Sequence, residues 1–122
     1  MLKLVKKPWG NEIWFACAPK YVGKLISVRK GHRLSLQYHR RKDETMFLEK
    51  GRCLIELNGR KKLFKSGDTI RIKPGTVHRL DARYGNIRII EVSTPQVRDV
   101  VRLEDDYHRA KHIISRKRGA RK

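Results

Sequence analysis

The chain has 122 residues, enough for one domain with its own buried core and too few to suggest two. Its 31 Lys and Arg outnumber 12 Asp and Glu, for a formal charge of +19, and its two cysteines, Cys17 and Cys53, show neither a CxxC nor a Cys/His spacing. These numbers argue against a disulfide-stapled scaffold and leave the cysteines as free thiols. With no apolar run long enough for a membrane span or a signal peptide, a cytoplasmic protein with no membrane partner is expected.

A field of this strength attracts polyanions, anionic surfaces and phosphorylated small molecules alike, so charge names no partner. Six of the basic residues fall in the closing KHIISRKRGARK, which contains no acid and reads as a solvated tail. Elsewhere the basic residues are scattered, without an aromatic-interleaved RNA-binding consensus or a helix-turn-helix pattern. Nucleic acid is therefore a possible partner but not the favoured one.

From Tyr21 to Val92 the chain is a succession of short alternating runs: YVGKLISV, LSLQYH, TMFLEK, RCLIELN, KKLFK, TIRIK, VHRLDA and IRIIEVS. Each suits a strand, and the breaks between them carry turn residues: Lys50-Gly51, Asn58-Gly59, Ser66-Gly67-Asp68, Pro74-Gly75 and Gly85-Asn86. Asn-Gly between two strands is the strongest short hairpin signal. The pattern predicts an all-β antiparallel sandwich or barrel. Beyond residue 96, VRDVVRLEDDYHRAKHII fits either a short C-terminal helix or an extended arm. With no internal repeat or linker, the division is one domain over residues 1–110 and a basic tail over 111–122.

The segment LSLQYHRRKDE raises the question of chemistry. Strand alternation sends Leu34, Leu36 and Tyr38 to one face and Ser35, Gln37 and His39 to the other. Glu44 follows five residues after His39, where a tight turn would return it beside the imidazole on a neighbouring strand. His78 opens another strand after KPGTV. Two imidazoles, a carboxylate and an amide suit one divalent transition metal ion, with positions left open for water or substrate. On periodicity alone, polar residues at the wet ends of surface strands are the more ordinary reading.

Spacing adds a second line. Gly31, Gln37, His39, Glu44 and Gly51 resemble the first cupin motif, with Gln37 at the place of that motif's first histidine, and Gly67, Pro74, Gly75 and His78 resemble the second. KPWGNE, GHRLSLQYH, GTVHRL and the closing VRLEDDYHR are similar to the C-terminal domain of the type II phosphomannose isomerases, the bifunctional mannose-1-phosphate guanylyltransferase / mannose-6-phosphate isomerase family, over about residues 7 to 110. The resemblance implies a cupin double-stranded β-helix, or jelly-roll barrel, with a metal site at Gln37, His39, Glu44 and His78. The ion would be Zn, Mn, Co, Ni or Fe. The chain lacks the family's nucleotidyltransferase half, so sugar-nucleotide synthesis is not expected. It also departs from the family pattern at Lys42, Thr45, Met46 and Ala82.

The expected activity is a metal-dependent sugar-phosphate isomerisation, mannose 6-phosphate to fructose 6-phosphate. It needs a general base to move a proton between C1 and C2. Lys24 and Glu91 are the candidates, with Glu104 a weaker one. The phosphate calls for guanidinium groups: Arg102 and Arg109, at the family's closing arginines, come first, and Arg33 and Arg79 second. Trp9 reads as core packing at one barrel end. Fold-level analogy to cupins suggests a homodimer through LKLVKKPW. The rival readings are another metal-dependent cupin enzyme, an epimerase or dioxygenase, and a non-enzymatic module whose basic surface holds a polyanion.

Overall fold

The computed structural model describes residues 2–109, which form eleven strands and, among the described residues, no helix. In chain order they are β1 (Lys3–Lys7), β2 (Gly10–Cys17), β3 (Val22–Val28), β4 (Leu36–Tyr38), β5 (Glu44–Lys50), β6 (Arg52–Leu57), β7 (Arg60–Lys65), β8 (Thr69–Ile72), β9 (His78–Asp81), β10 (Ile87–Ser93) and β11 (Val101–Glu104). They pair antiparallel in two sheets, β1-β2-β3-β10-β5-β8 and β11-β4-β9-β6-β7. No helix in this region is long and apolar enough to cross a membrane.

Eight of the strands, β3 to β10, fall on the eight alternating runs. The Asn58-Gly59 turn joins β6 to β7, with both residues at positive φ as a tight hairpin requires. β1 and β2 precede the run pattern. They form a hairpin over Pro8-Trp9, and Gly10 lies so close to β3 that a Cβ there would meet the Ser27 carbonyl oxygen at 1.9 Å. That approach tucks Trp9 into the core. At the other end, the helix-or-arm alternative resolves to an arm: β11 adds to the outer side of β4, with Arg102 opposite Gln37. The basic tail, 111–122, lies outside the described residues.

The two inner faces make the barrel's interior, and they are sorted along its length. In the six-stranded sheet one rung runs Glu12, Ile26, Ile89, Leu48 and the next runs Trp14, Lys24, Glu91, Met46 across β2, β3, β10 and β5. Ile26, Leu48 and Ile89 join Cys53, Ile55, Phe64, Ile72 and Leu80 in a core from which solvent is almost excluded. Each such side chain contributes roughly 1.5–3 kcal/mol by leaving water. Lys24, Glu91 and Glu44 occupy the opposite end, facing His39 and His78 from the other sheet. The apolar end supplies the stability, and the polar end gathers the candidate site.

Candidate metal centre

Each ligand is aimed by its local backbone. On β4 and its continuation, alternation carries Gln37 and His39 inward, and Gln37 pairs directly with His78 on β9. Glu44 begins β5 in the opposite sheet, so the return predicted as a tight turn to a neighbouring strand is a crossing of the sandwich instead. The crossing loop is pinned by Asp99. Its carboxylate accepts from the backbone N–H groups of Arg40, Arg41 and Lys42 at 3.0, 2.6 and 2.9 Å. Burial opposes ionisation of Asp99, but these three donors hold its pKa below the usual carboxylate value. The Gly75 N–H reaches the His39 carbonyl at 2.7 Å and ties the second motif's turn to the first.

His39 Nδ1 donates to the Asp99 carbonyl at 2.6 Å, and His78 Nδ1 donates to the Thr76 carbonyl at 2.8 Å. A carbonyl can only accept, so each ring carries its proton on Nδ1 and, when neutral, presents the bare Nε2 inward. Both Nε2 atoms face the same oxygen, Glu44 Oε2, at 2.9 and 3.4 Å. Three lone-pair donors, each buried, thus converge within 4.8 Å of one another. Lone pairs in this arrangement are reconciled by a proton or by a cation between them. The two nitrogen–oxygen separations match neighbouring ligands around a cation with bonds of about 2.1 Å, which stand about 3.0 Å apart at a right angle and about 3.4 Å apart at the tetrahedral angle. Backbone acceptors behind both histidines are the outer support that metal-ligating imidazoles characteristically have. The residues present therefore fit a divalent transition metal. Gln37 lines the same cavity, its Oε1 accepting from Ser35 Oγ at 3.2 Å.

Behind the cluster lies a charged network. Lys42 Nζ stands 3.4 Å from Glu44 Oε1 and 3.1 Å from Glu91 Oε2, with all three side chains more than nine-tenths buried. Burial opposes the charge on Lys42, but the Glu91 and Glu44 carboxylates raise its pKa above the ordinary lysine value. Burial likewise opposes ionisation of Glu44, yet His39 and His78, which donate to it whenever their Nε2 atoms are protonated, and the Lys42 charge hold its pKa far below the usual range. Burial and the neighbouring Glu44 push Glu91 up to about 7, against Lys42. Lys24 sits directly opposite Glu91 in register and 3.6 Å from Glu12, which also accepts from Trp14 Nε1 at 2.9 Å. Neither the alternation nor the motif spacing pointed to Glu12, Lys42 or Asp99 as site residues. Lys42 stood out in the sequence only as a departure from the family pattern.

All of these groups except Asp99 line one cavity of about 110 Å³. Its mouth is cationic, lined by Lys7, Arg102 and Arg109. Burial and the neighbouring Arg109 lower the Arg102 pKa, and Arg102 Nε is buried without a hydrogen-bond partner. Arg109 is held by Asp105 at 2.7 Å. Three other predicted residues stand outside the cavity. The Arg33 guanidinium grips Asp106 at 2.7 and 2.9 Å on the surface; the chain makes only an isolated bridge there, and the partly buried Leu34 turns inward beside the buried Ser35, breaking the alternation before β4 begins. Arg79 holds the Leu34 carbonyl and Glu104, whose own side chain is 63% exposed.

Solved structures share this architecture at low identity. KdgF from Halomonas sp. superposes with a TM-score of 0.71 at 20% identity, over 77% of this chain and 86% of that one. Pac13, a nucleoside dehydratase from Streptomyces, gives 0.70 at 18%, over 85% and 86%. The two-sheet fold, with His39, Glu44 and His78 facing inward, defines a cupin double-stranded β-helix. Residues 1–105 match the family described as mannose-6-phosphate isomerase C-terminal, and the chain belongs to that family. Mannose-1-phosphate guanylyltransferase ManC of Salmonella typhimurium is 34% identical over 114 residues, 89% of this chain and 24% of that protein. The chain thus spans about a quarter of that relative's length.

Proposed function

We propose that the chain is a metal-dependent sugar-phosphate isomerase interconverting mannose 6-phosphate and fructose 6-phosphate. The observation that carries this reading is the sharing of one cavity by three converged ligand atoms, a lysine–carboxylate network and a cationic mouth. A divalent cation held by His39, Glu44 and His78, with Gln37 beside it, would polarise the substrate oxygens at C1 and C2. Glu91, steadied by Lys42, moves the proton between those carbons. Lys24, oriented by Glu12, donates to the neighbouring substrate oxygen. Arg102, whose Nε has no protein partner, takes the phosphate together with Lys7. Arg109 is already engaged by Asp105 and shapes the mouth. Family membership supports the substrate class.

Metal analysis of the purified chain should find one divalent ion, and both the ion and turnover should vanish in a folded His78→Ala variant. Undiminished isomerisation after exhaustive chelation would overturn the proposal. Turnover of a different sugar phosphate in a substrate panel, or turnover only with ferrous iron and oxygen, would instead favour the epimerase or dioxygenase alternative. The homodimer is proposed through β1, an outer strand with Leu2 and Leu4 exposed beside its open edge. Sedimentation of a Leu4→Lys variant as a monomer beside a dimeric parent would support that contact.

A further inference from the structure

Two sets of arginines and lysines outside the buried network contrast among the described residues. Five surface arginines have acids within ion-pair distance: Arg33 with Asp106, Arg71 with Asp43, Arg83 with Asp81, Arg88 with Glu49 and Arg109 with Asp105, all at 2.6 to 2.8 Å. On the β6–β7 hairpin, Arg52, Arg60, Lys61, Lys62 and Lys65 are exposed and have no acid within 4.0 Å among the described residues. Arg52 and Lys65 are direct cross-strand partners, a like-charge pairing that costs stability wherever no anion relieves it. Glu56, opposite Lys61, is the hairpin's one acid.

An aromatic surface adjoins these charges. The Arg52 guanidinium lies 4.7 Å over the ring of Tyr84, which is 42% exposed. The contact depends on Gly51, whose φ is +92° and whose added Cβ would meet the Asn86 carbonyl oxygen at 2.5 Å. Only glycine lets this turn close on the Tyr84–Asn86 loop. The concave surface between them is lined by Arg52, Lys65, Ser66, Tyr84 and Asn86, with no acid. β7 is the outer strand of its sheet, so Lys61, Leu63 and Lys65 form a row on one face, about 13 Å from first to last. None of these residues lines the cavity.

We propose that this hairpin and the Tyr84 loop bind single-stranded nucleic acid, independently of the cavity's chemistry. Arg52 and Lys65 take neighbouring phosphates, Lys61 takes one farther along the strand, and the exposed Tyr84 ring with its stacked guanidinium receives an unpaired base. A linear cation row beside an aromatic platform suits a single strand, whose bases are free to stack. A duplex keeps its bases from such a platform, and although a free two-stranded ribbon can enter a major groove, β6 is paired along its other edge with β9, so this hairpin does not stand free to do so.

The test is anisotropy of a labelled 12-nucleotide single-stranded DNA of mixed sequence with the full chain, across a salt series. Arg52→Ala with Lys65→Ala should weaken binding and reduce the slope of log K against log salt by about 1.4. Tyr84→Ala should weaken binding about tenfold with the slope nearly unchanged. The charge-matched control Lys6→Ala with Lys20→Ala, two exposed lysines that line neither this surface nor the cavity, should bind as the parent does. Thermal unfolding of each variant reports intact folding, and the hairpin variants should retain the parent's metal content. Hairpin variants that bind like the parent, equal loss in the control, or equally tight binding of a duplex or of phosphatidylserine vesicles would each overturn the proposal.

Discussion

Lys42, inside the barrel, and Lys62, on the β6–β7 hairpin, carry the same ammonium group in opposite circumstances. Lys42 is buried between Glu44 and Glu91, and Lys62 is exposed with no acid near it. Removing Lys42 from water is costly, and two carboxylates offset that cost only because they close on it from both sides. Lys62 keeps its water and needs no partner. The charge of +19 is therefore two quantities: a nearly neutral interior built from opposed charges, and a surface excess concentrated where acids are missing. Net charge describes the second and says nothing of the first.

The sharpest test of this contrast is to remove each lysine. Lys42→Met leaves two carboxylates buried beside one another and should destabilise the fold by roughly 3–5 kcal/mol in urea denaturation. Lys62→Ala should change stability by no more than about 0.5 kcal/mol in either direction. Equal effects would dissolve the distinction. A smaller effect is expected at Asp99, which touches the metal cluster only through its backbone carbonyl while its carboxylate holds the loop before Glu44. Asp99→Ala should weaken divalent-metal affinity by about 10–100-fold, measured by competition with a chelating dye. Unchanged affinity would mean that β4 and β5 alone aim His39 and Glu44.

The smallest effect concerns acid. Asp106 is held below the usual 3.8 by Arg33, and Asp105 by Arg109 despite the opposing influence of burial. Both folded values lie below the unfolded one, so their contribution is fully present above about pH 4 and is lost as pH falls through the folded values. Amide-exchange protection of β11, taken relative to β10, should therefore hold from pH 7 to about 4 and decline below. Relative protection that rises on acidification would contradict these ion pairs.

Much of this was legible in the sequence. Eight strands were readable because their alternation is imposed by burial on one face and their ends are punctuated by Gly, Asn and Pro. β1 and β2 lack that imprint: β1 is an outer strand that is mostly exposed, so burial imposes no such pattern on it. β11 is half-buried at three consecutive positions, so no alternation marks it. At the candidate site, the spacing that singled out Gln37, His39, Glu44 and His78 is local, set by strand and turn lengths, and the structure brings His39, Glu44 and His78 together with Gln37 in the same cavity. Lys42, Glu12 and Asp99 escaped because their roles come from pairings between distant segments; Asp99 meets Lys42 from 57 residues away. Arg33 shows the converse error. It shares the parity of Gln37 and His39, but the alternation slips at Leu34 and Ser35 and leaves it outside.

The pairing of β11 with β4 also bears on the order in which the molecule is made. Val101 meets Tyr38 and Asp99 meets His39 across some sixty residues, whereas β6 and β7 meet across a two-residue turn. Hairpins close in microseconds, and long-range pairings wait until the entropy of a large loop has been overcome. On a growing chain the basic hairpin can form while the strand that completes the cavity has yet to be synthesised. The last support of the candidate metal centre, the carbonyl behind His39, therefore arrives near the end of folding.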